Sequence, residues 1–295
     1  MLKIQKISIL TSFLALWLTS FLNNEFQFFV GFILILSFGI LHGANDLALI
    51  NHLEINKKPK SFLKLILSYI TIVLIAVILF VLIPTVAMIL FILISSYHFG
   101  EQHWQKLIEE QSKLYRIFFE FNYGIFILFL LFYFHSDEVI YIVFKITNIV
   151  LHTFFINVVF VISAVILILQ MLFLAINNLV FKKNIPEQLL YLLVFAIVFK
   201  VGSLIWAFTI YFVLWHSIPS LNDQIKYLYG SYSFKNFIAY FKSAFLYWII
   251  SLIGISTLYL VFKDEKIFEA LFFSFLAAIT FPHAWVILKM YKNKI

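Results

Sequence analysis

The chain has 295 residues, of which 64% are hydrophobic and only 12% charged, with a formal net charge of +7 and no cysteine. Soluble domains average about 45–50% apolar and about 25% charged residues, so 21 Lys and Arg with 14 Asp and Glu are too few to clothe a water-soluble particle of this length. This excludes a soluble enzyme, a disordered chain and a secreted disulfide scaffold; the basic residues fall in small groups between long apolar runs, so the positive charge reads as membrane topology and not as a nucleic-acid surface.

A helix that crosses about 30 Å of hydrocarbon takes roughly 20 mainly apolar residues. Ten candidate spans follow one another at 7–22, 28–50, 62–82, 85–104, 117–134, 153–176, 187–200, 203–218, 237–262 and 267–288. The first follows Lys3 and Lys6 but lacks a small-residue cleavage site, so it is expected to be retained as a span. The run 187–218 is too long for one crossing and is divided at Lys200 and Gly202. Residues 139–152 fit either a short interfacial helix or part of a longer, tilted sixth span. About 8–10 spans are therefore expected. The longest polar connection, around 218–236, is too short for a cytosolic module. With no internal repeat or linker, residues 1–295 are expected to form a single integral-membrane domain of the all-α class, a polytopic transmembrane helical bundle.

The basic residues test this arrangement independently, because cytoplasmic loops are enriched in Lys and Arg. With the N-terminus inside, seventeen basic residues fall on the inner side and only Lys145, Lys200, Lys263 and Lys266 on the outer one. Both termini are thus expected to be cytoplasmic.

Ionisable groups inside spans cost at least about 2.5–3.5 kcal/mol at the bilayer centre and mark function. His42 lies in LHGAND late in the second span, His98 and His103 in SSYHFGEQHW late in the fourth, His216 in WHSIPS at the end of the eighth, and His283 in FPHAW late in the tenth. In the topology above all of these spans run inward, so the five imidazoles reach a similar depth near the cytoplasmic face. Neutral imidazole is a good ligand for iron, copper, zinc or nickel, and separate helices can aim several at one point in a bundle.

Two acids fit a supporting role. His42 and Asp46 are i,i+4 and His98 and Glu101 are i,i+3, so each pair is expected on one helix face. A ligating histidine commonly donates its second N–H to a carboxylate, which makes Asp46 and Glu101 supports of the imidazoles and not ligands themselves. Gly43 and Gly100 are expected to allow close helix packing, and Pro219 and Pro282 to break or kink the helices beside His216 and His283. Trp104, Trp215 and Trp285 sit within two residues of a histidine, either lining a site or anchoring the spans at the interface.

Four short motifs stand in register along the chain: His42-Gly43-Ala44-Asn45-Asp46, His98-Phe99-Gly100, His216-Ser217 and Pro282-His283. In order, spacing and helical placement they resemble the HGxxD, HFGxxD, HSxxH and PH motifs of the Brp/Blh-type β-carotene 15,15'-dioxygenases of bacteria and archaea. The resemblance implies a multi-pass protein of the bacterial cytoplasmic (inner) membrane. It also implies oxidative cleavage of β-carotene, or a related carotenoid, to retinal at a mononuclear Fe(II). The carotenoid and O2 would come from the bilayer, no nucleic acid would be involved, and a retinal-binding rhodopsin would be a downstream partner. Carried over residue by residue, the metal ligands are His42, His98 and His216. The family's fourth position is Ser220 here, and His103 stands where the family often has Asp. His283, or alternatively His103, is therefore expected to complete the set.

Three other readings compete with this one. A lipid hydroxylase or desaturase uses HxxxH and HxxHH boxes, and His98 and His103 are five apart. A histidine-lined metal or proton transporter needs polar groups through the full membrane thickness, whereas here they gather toward one face. Ser220 keeps open a non-catalytic carotenoid-binding relative.

Overall fold

The computed structural model describes residues 2–54, 62–261 and 265–292, and among them every regular element is helical. In chain order these are α1 (Leu2–Thr19), α2 (Asn24–Leu34), α3 (Asp46–Glu54), α4 (Phe62–Leu82), α5 (Pro84–Trp104), α6 (Lys113–Phe134), α7 (Ser136–Thr147), α8 (Thr153–Asn177), α9 (Leu179–Val201), α10 (Leu204–Ile210), α11 (Ile218–Tyr229), α12 (Phe234–Val261) and α13 (Glu265–Lys292). Two stretches wind as π-helix, Ile35–Gly39 after α2 and Tyr211–Ser217 between α10 and α11. Among the described residues six helices are long and apolar enough to cross a membrane, and three shorter apolar ones, Ile4–Thr19, Asn24–Gly39 and Leu67–Leu82, accompany them. The chain is an all-α, multi-pass membrane protein.

The helix ends follow local chemistry. Asn23 and Asn178 cap α2 and α9 by accepting the N–H of Phe26 and Phe181 at 2.8 and 2.9 Å. Pro84 opens α5, where its missing N–H leaves no vacancy. Gly230, at φ +79°, ends α11 in the left-handed region. The division of 187–218 falls at Gly202, with Ser203 opening α10.

Two expectations about the spans need correction. The stretch 28–50 is not one helix: it stops at Leu41, turns through residues 42–45 and restarts as α3 at Asp46. Residues 218–229, expected as the start of a connection, continue helical as α11. Pro219 and Pro282 do not break their helices, since Pro219 sits in the first turn of α11 and Pro282 inside the continuous α13. Residues 136–147 form the short helix α7. Lys57, Lys58, Lys60, Lys263 and Lys294, which carry part of the charge bias, lie outside the described residues, as do the side chains of Lys3, Lys266 and Lys292.

The chain divides into two compact units. The first comprises Met1–Ile35, Ser95–Tyr141 and Val150–His216. In it α6 packs on α8 and α9, α10 on α2 and α9, and α1 on α9. Its interior is aromatic: Phe119, Tyr123 and Phe181 are buried against Trp104, and Tyr191 and Phe195 against Trp215. Asn122 donates to the Gln170 side chain at 3.0 Å, a polar pin between α6 and α8 that hydrocarbon cannot compete with.

In this unit α5 and α6 approach each other closely. A Cβ at Gly100 would run into the backbone carbonyl of Glu120, and one at Gly124 into that of Ser96. Two glycines thus let the two backbones touch, the small-residue packing expected of Gly100.

The second unit comprises Leu36–Ile94, Ile142–Ile149 and Ser217–Ile295. There α13 packs on α3 and α4, and α12 on α11 and α13. One core joins Leu49 and Ile50 to Val286, Ile287, Met290 and Tyr291; another joins Leu41 to Leu221, Ile225, Tyr240 and Ala244. Large side chains on the outer faces, such as Ile176 of α8 at 82% exposure and Leu246 of α12 at 63%, are surfaces a bilayer covers.

Because the obstacle at Gly124 is backbone, Gly124→Ala is expected to cost about 1–3 kcal/mol and to lower the thermal midpoint of the purified protein in detergent. Gly254→Ala, where nothing lies within 4 Å, is expected to leave it unchanged. Equal midpoints for the two variants, followed by tryptophan fluorescence, would contradict the backbone contact.

Candidate metal centre

In the second unit the His42–Asn45 turn presents the first histidine. Gly43 and Asn45 are turn formers, and the turn is pinned on both flanks. The His42 carbonyl accepts from the Gln224 amide at 2.8 Å and the Tyr240 hydroxyl at 3.4 Å, and the Asn45 amide donates to the Tyr240 carbonyl at 2.9 Å. Tyr240 also donates to the Gln224 side-chain carbonyl at 2.6 Å, so α11, α12 and the turn share one hydrogen-bond network.

Asp46, the first residue of α3, meets a different histidine from the one its spacing indicated. Its Oδ1 lies 2.8 Å from His283 Nδ1, and its Oδ2 accepts from the Tyr69 hydroxyl at 3.1 Å. The reason is the break at residues 42–45: with His42 outside the helix, i,i+4 no longer puts the two side chains on one face. A carboxylate accepts only from an N–H, so Nδ1 of His283 carries the proton and Nε2 the lone pair. The His42 and His283 rings meet edge to face, 4.7 Å between centroids. Gly43 is beside this pair, where an added Cβ would be in ordinary contact with His283 Nδ1 at 3.6 Å.

In the first unit His98, on α5, and His216, in the π-helical stretch, make the same kind of edge-to-face pair at 4.7 Å. Phe99 packs on the His216 ring at 4.7 Å and Phe212 stacks on it at 5.5 Å. The His216 carbonyl accepts from the Gln102 amide at 2.7 Å. π-Helical turns interrupt the i to i−4 ladder and are frequent at functional sites; here a glutamine one turn beyond His98 holds the backbone of its partner. All four histidines are buried, between 1% and 4% exposed.

The remaining candidates are placed as follows. His103 is five residues past His98, about 140° around the helix, and it bonds to Gln188 at 2.8 Å and stacks on Tyr123 instead of joining His98 and His216. Glu101 is buried and accepts from the Tyr97 hydroxyl at 3.2 Å. Trp104 is buried among Phe119, Tyr123 and Phe181. Trp215 donates to Ser12 at 2.9 Å. Trp285 is exposed, with the Lys289 ammonium 3.7 Å above its ring, an arrangement suited to an interfacial anchor. Ser220 is buried and accepts from Gln224 at 3.0 Å.

Gln102, Gln224, Tyr69 and Tyr240 were not picked out from sequence, although a buried glutamine in an apolar span is itself a signal. Gln102 is i,i+4 from His98, and Gln224 is i,i+4 from Ser220.

His42, His98 and His283 are buried histidines that could bind a metal. The donors are imidazoles, one of them hydrogen-bonded to a carboxylate, which suits a borderline divalent transition metal. No curated protein and no solved structure matches the chain. The profile of the family described as beta-carotene 15,15'-dioxygenase matches residues 33–291, a stretch that holds all four motifs. The chain therefore belongs to the β-carotene 15,15'-dioxygenase family.

Proposed function

We propose that the chain is a membrane-embedded non-haem iron dioxygenase that cleaves β-carotene, or a close carotenoid relative, at its central double bond to give two molecules of retinal. Its site is the bacterial cytoplasmic membrane, with both termini cytoplasmic and the whole chain serving as one integral-membrane domain. The observation that supports this best is the occurrence, in a member of this family, of two edge-to-face pairs of buried imidazoles, His42 with His283 and His98 with His216. We assign the ligands as His42, His98, His216 and His283. Ferrous iron held by these imidazoles would supply the activation of O2 that breaking a carbon–carbon double bond requires, and the two oxygen atoms would be shared between the two aldehydes.

The chain's own residues prepare the site. Asp46 fixes the tautomer of His283, and Tyr69 steadies Asp46. Gln224 and Tyr240 hold the His42 turn, and Gln102 holds His216 at its carbonyl. Phe99 and Phe212 give His216 an apolar, water-excluding wall. Ser220 belongs to the Gln224 network, so the position where the family has a second histidine is a support of His42 and not a ligand. The polyene and O2 are both apolar and reach the site from the bilayer, and a retinal-binding rhodopsin is the expected consumer of the product.

Expression in carotene-producing bacteria is expected to yield retinal, detected by chromatography of the extracted pigments, and His42→Ala or His216→Ala to abolish it. Carotenoid co-purifying with an iron-loaded wild-type protein that makes no retinal would instead establish a binding relative. Metal analysis separates the residue roles. His283→Ala is expected to lose the metal, Ser220→Ala to keep it, and Asp46→Asn to weaken metal affinity by about 10–100-fold, as supporting carboxylates do. Metal retained in full by His283→Ala would refute the fourth ligand.

A further inference from the structure

The first helix lies outside the family-matched residues 33–291, yet it reaches the histidine-bearing stretch. Most of its surface is lipid-type, with Leu10 71% and Trp17 59% exposed. Against that background Ser8, Ser12 and Thr19 are buried. At about 100° per residue they fall within about 40° of one another, so they form one polar stripe.

Each hydroxyl of the stripe meets the segment that leads to His216. Thr19 accepts from the Trp206 indole at 2.8 Å, Ser12 accepts from the Trp215 indole at 2.9 Å, and Ser8 donates to the Leu214 carbonyl at 2.8 Å. Leu214 and Trp215 are in the π-helical stretch, directly before His216. The same stretch is held from α5 by Gln102 at the His216 carbonyl, 2.7 Å. Its backbone is thus gripped at two carbonyls two residues apart, from two different helices. In a π-turn, where the regular ladder is reset, such side-chain donors decide which winding persists.

We propose that Ser8 and Ser12 are positioning residues for His216, and that α1 is a clamp that keeps the π-helical winding and so the aim of that imidazole. Thr19, nearer the far end of α10, serves only to dock the helix. The proposal rests on the reading of His216 as a metal ligand.

The test loads the full-length protein in detergent with Co(II), whose visible ligand-field bands report the geometry of nitrogen donors. His216→Ala first establishes the spectrum that follows when this donor is lost. Ser8→Ala/Ser12→Ala is expected to move the bands toward that spectrum and to weaken metal affinity by about 10-fold, the lower end of the range for supporting groups. Thr19→Ala is expected to keep the wild-type spectrum, and Ser12→Thr to restore it where Ser12→Ala has shifted it. Trp215→Phe removes the same hydrogen bond with α1 intact, so it decides the matter should the double variant not fold. It is expected to shift the bands as Ser12→Ala does. Wild-type bands in the double variant or in Trp215→Phe, alongside an altered His216→Ala, overturn the clamp alone. Unchanged bands in His216→Ala overturn the clamp and the ligand assignment together.

Discussion

An imidazole has one donor and one acceptor nitrogen, and placing it in an apolar interior is costly unless its polar atoms are matched. This requirement governs the arrangement around the histidines. For His283 the match is Asp46, and the consequences run outward from that bond: Asp46 must sit at the start of a helix, Tyr69 must hold its second oxygen, and α3 and α4 must stand where α13 can reach them. A carboxylate buried to 1% exposure would be expensive alone. With two donors on it, it becomes a fixed point from which the orientation of an imidazole follows.

The backbone follows the same rule by other means. Helices that change their winding, at Ile35–Gly39 and Tyr211–Ser217, and a chain that turns at residues 42–45 expose carbonyls that a regular helix would satisfy. Glutamine amides cover two of them, Gln224 at His42 and Gln102 at His216. Each thereby holds the main chain of a histidine without touching its ring. Irregular backbone at membrane depth is tolerated only where protein satisfies it, and in this chain the irregular places are also where two of the histidines stand.

Much of this was legible in the residues. Most span boundaries, such as those of 62–82, 85–104 and 153–176, follow from apolar run length, and the prominence of His42, His98, His216 and His283 from their expense in hydrocarbon. Partnership was less legible. Asp46 is four residues from His42, and helical spacing assigns them to each other; the turn that separates them depends on packing against Tyr240 and Gln224, distant in the chain. His103 and Trp215 sit near the motifs but bond elsewhere, His103 to Gln188 and Trp215 to Ser12, because a few residues along a helix are enough to change its face. The replacement at Ser220 looked like a loss in one dimension. In three it is part of the support for His42.

The π-helical stretch at Tyr211–Ser217 has a genetic consequence. A π-turn accommodates one residue more than an α-turn in the same length of axis, so removing a single residue there would let the segment relax to a regular helix without disturbing its hydropathy. The helices on either side would keep their register, and the residues inside the stretch would change face by up to about 100°. A span that inserts as well as before would present a different face at the position of His216. The aim of that imidazole is therefore encoded in the number of codons as much as in their identity, and an in-frame deletion too small to alter the membrane topology would suffice to erase it.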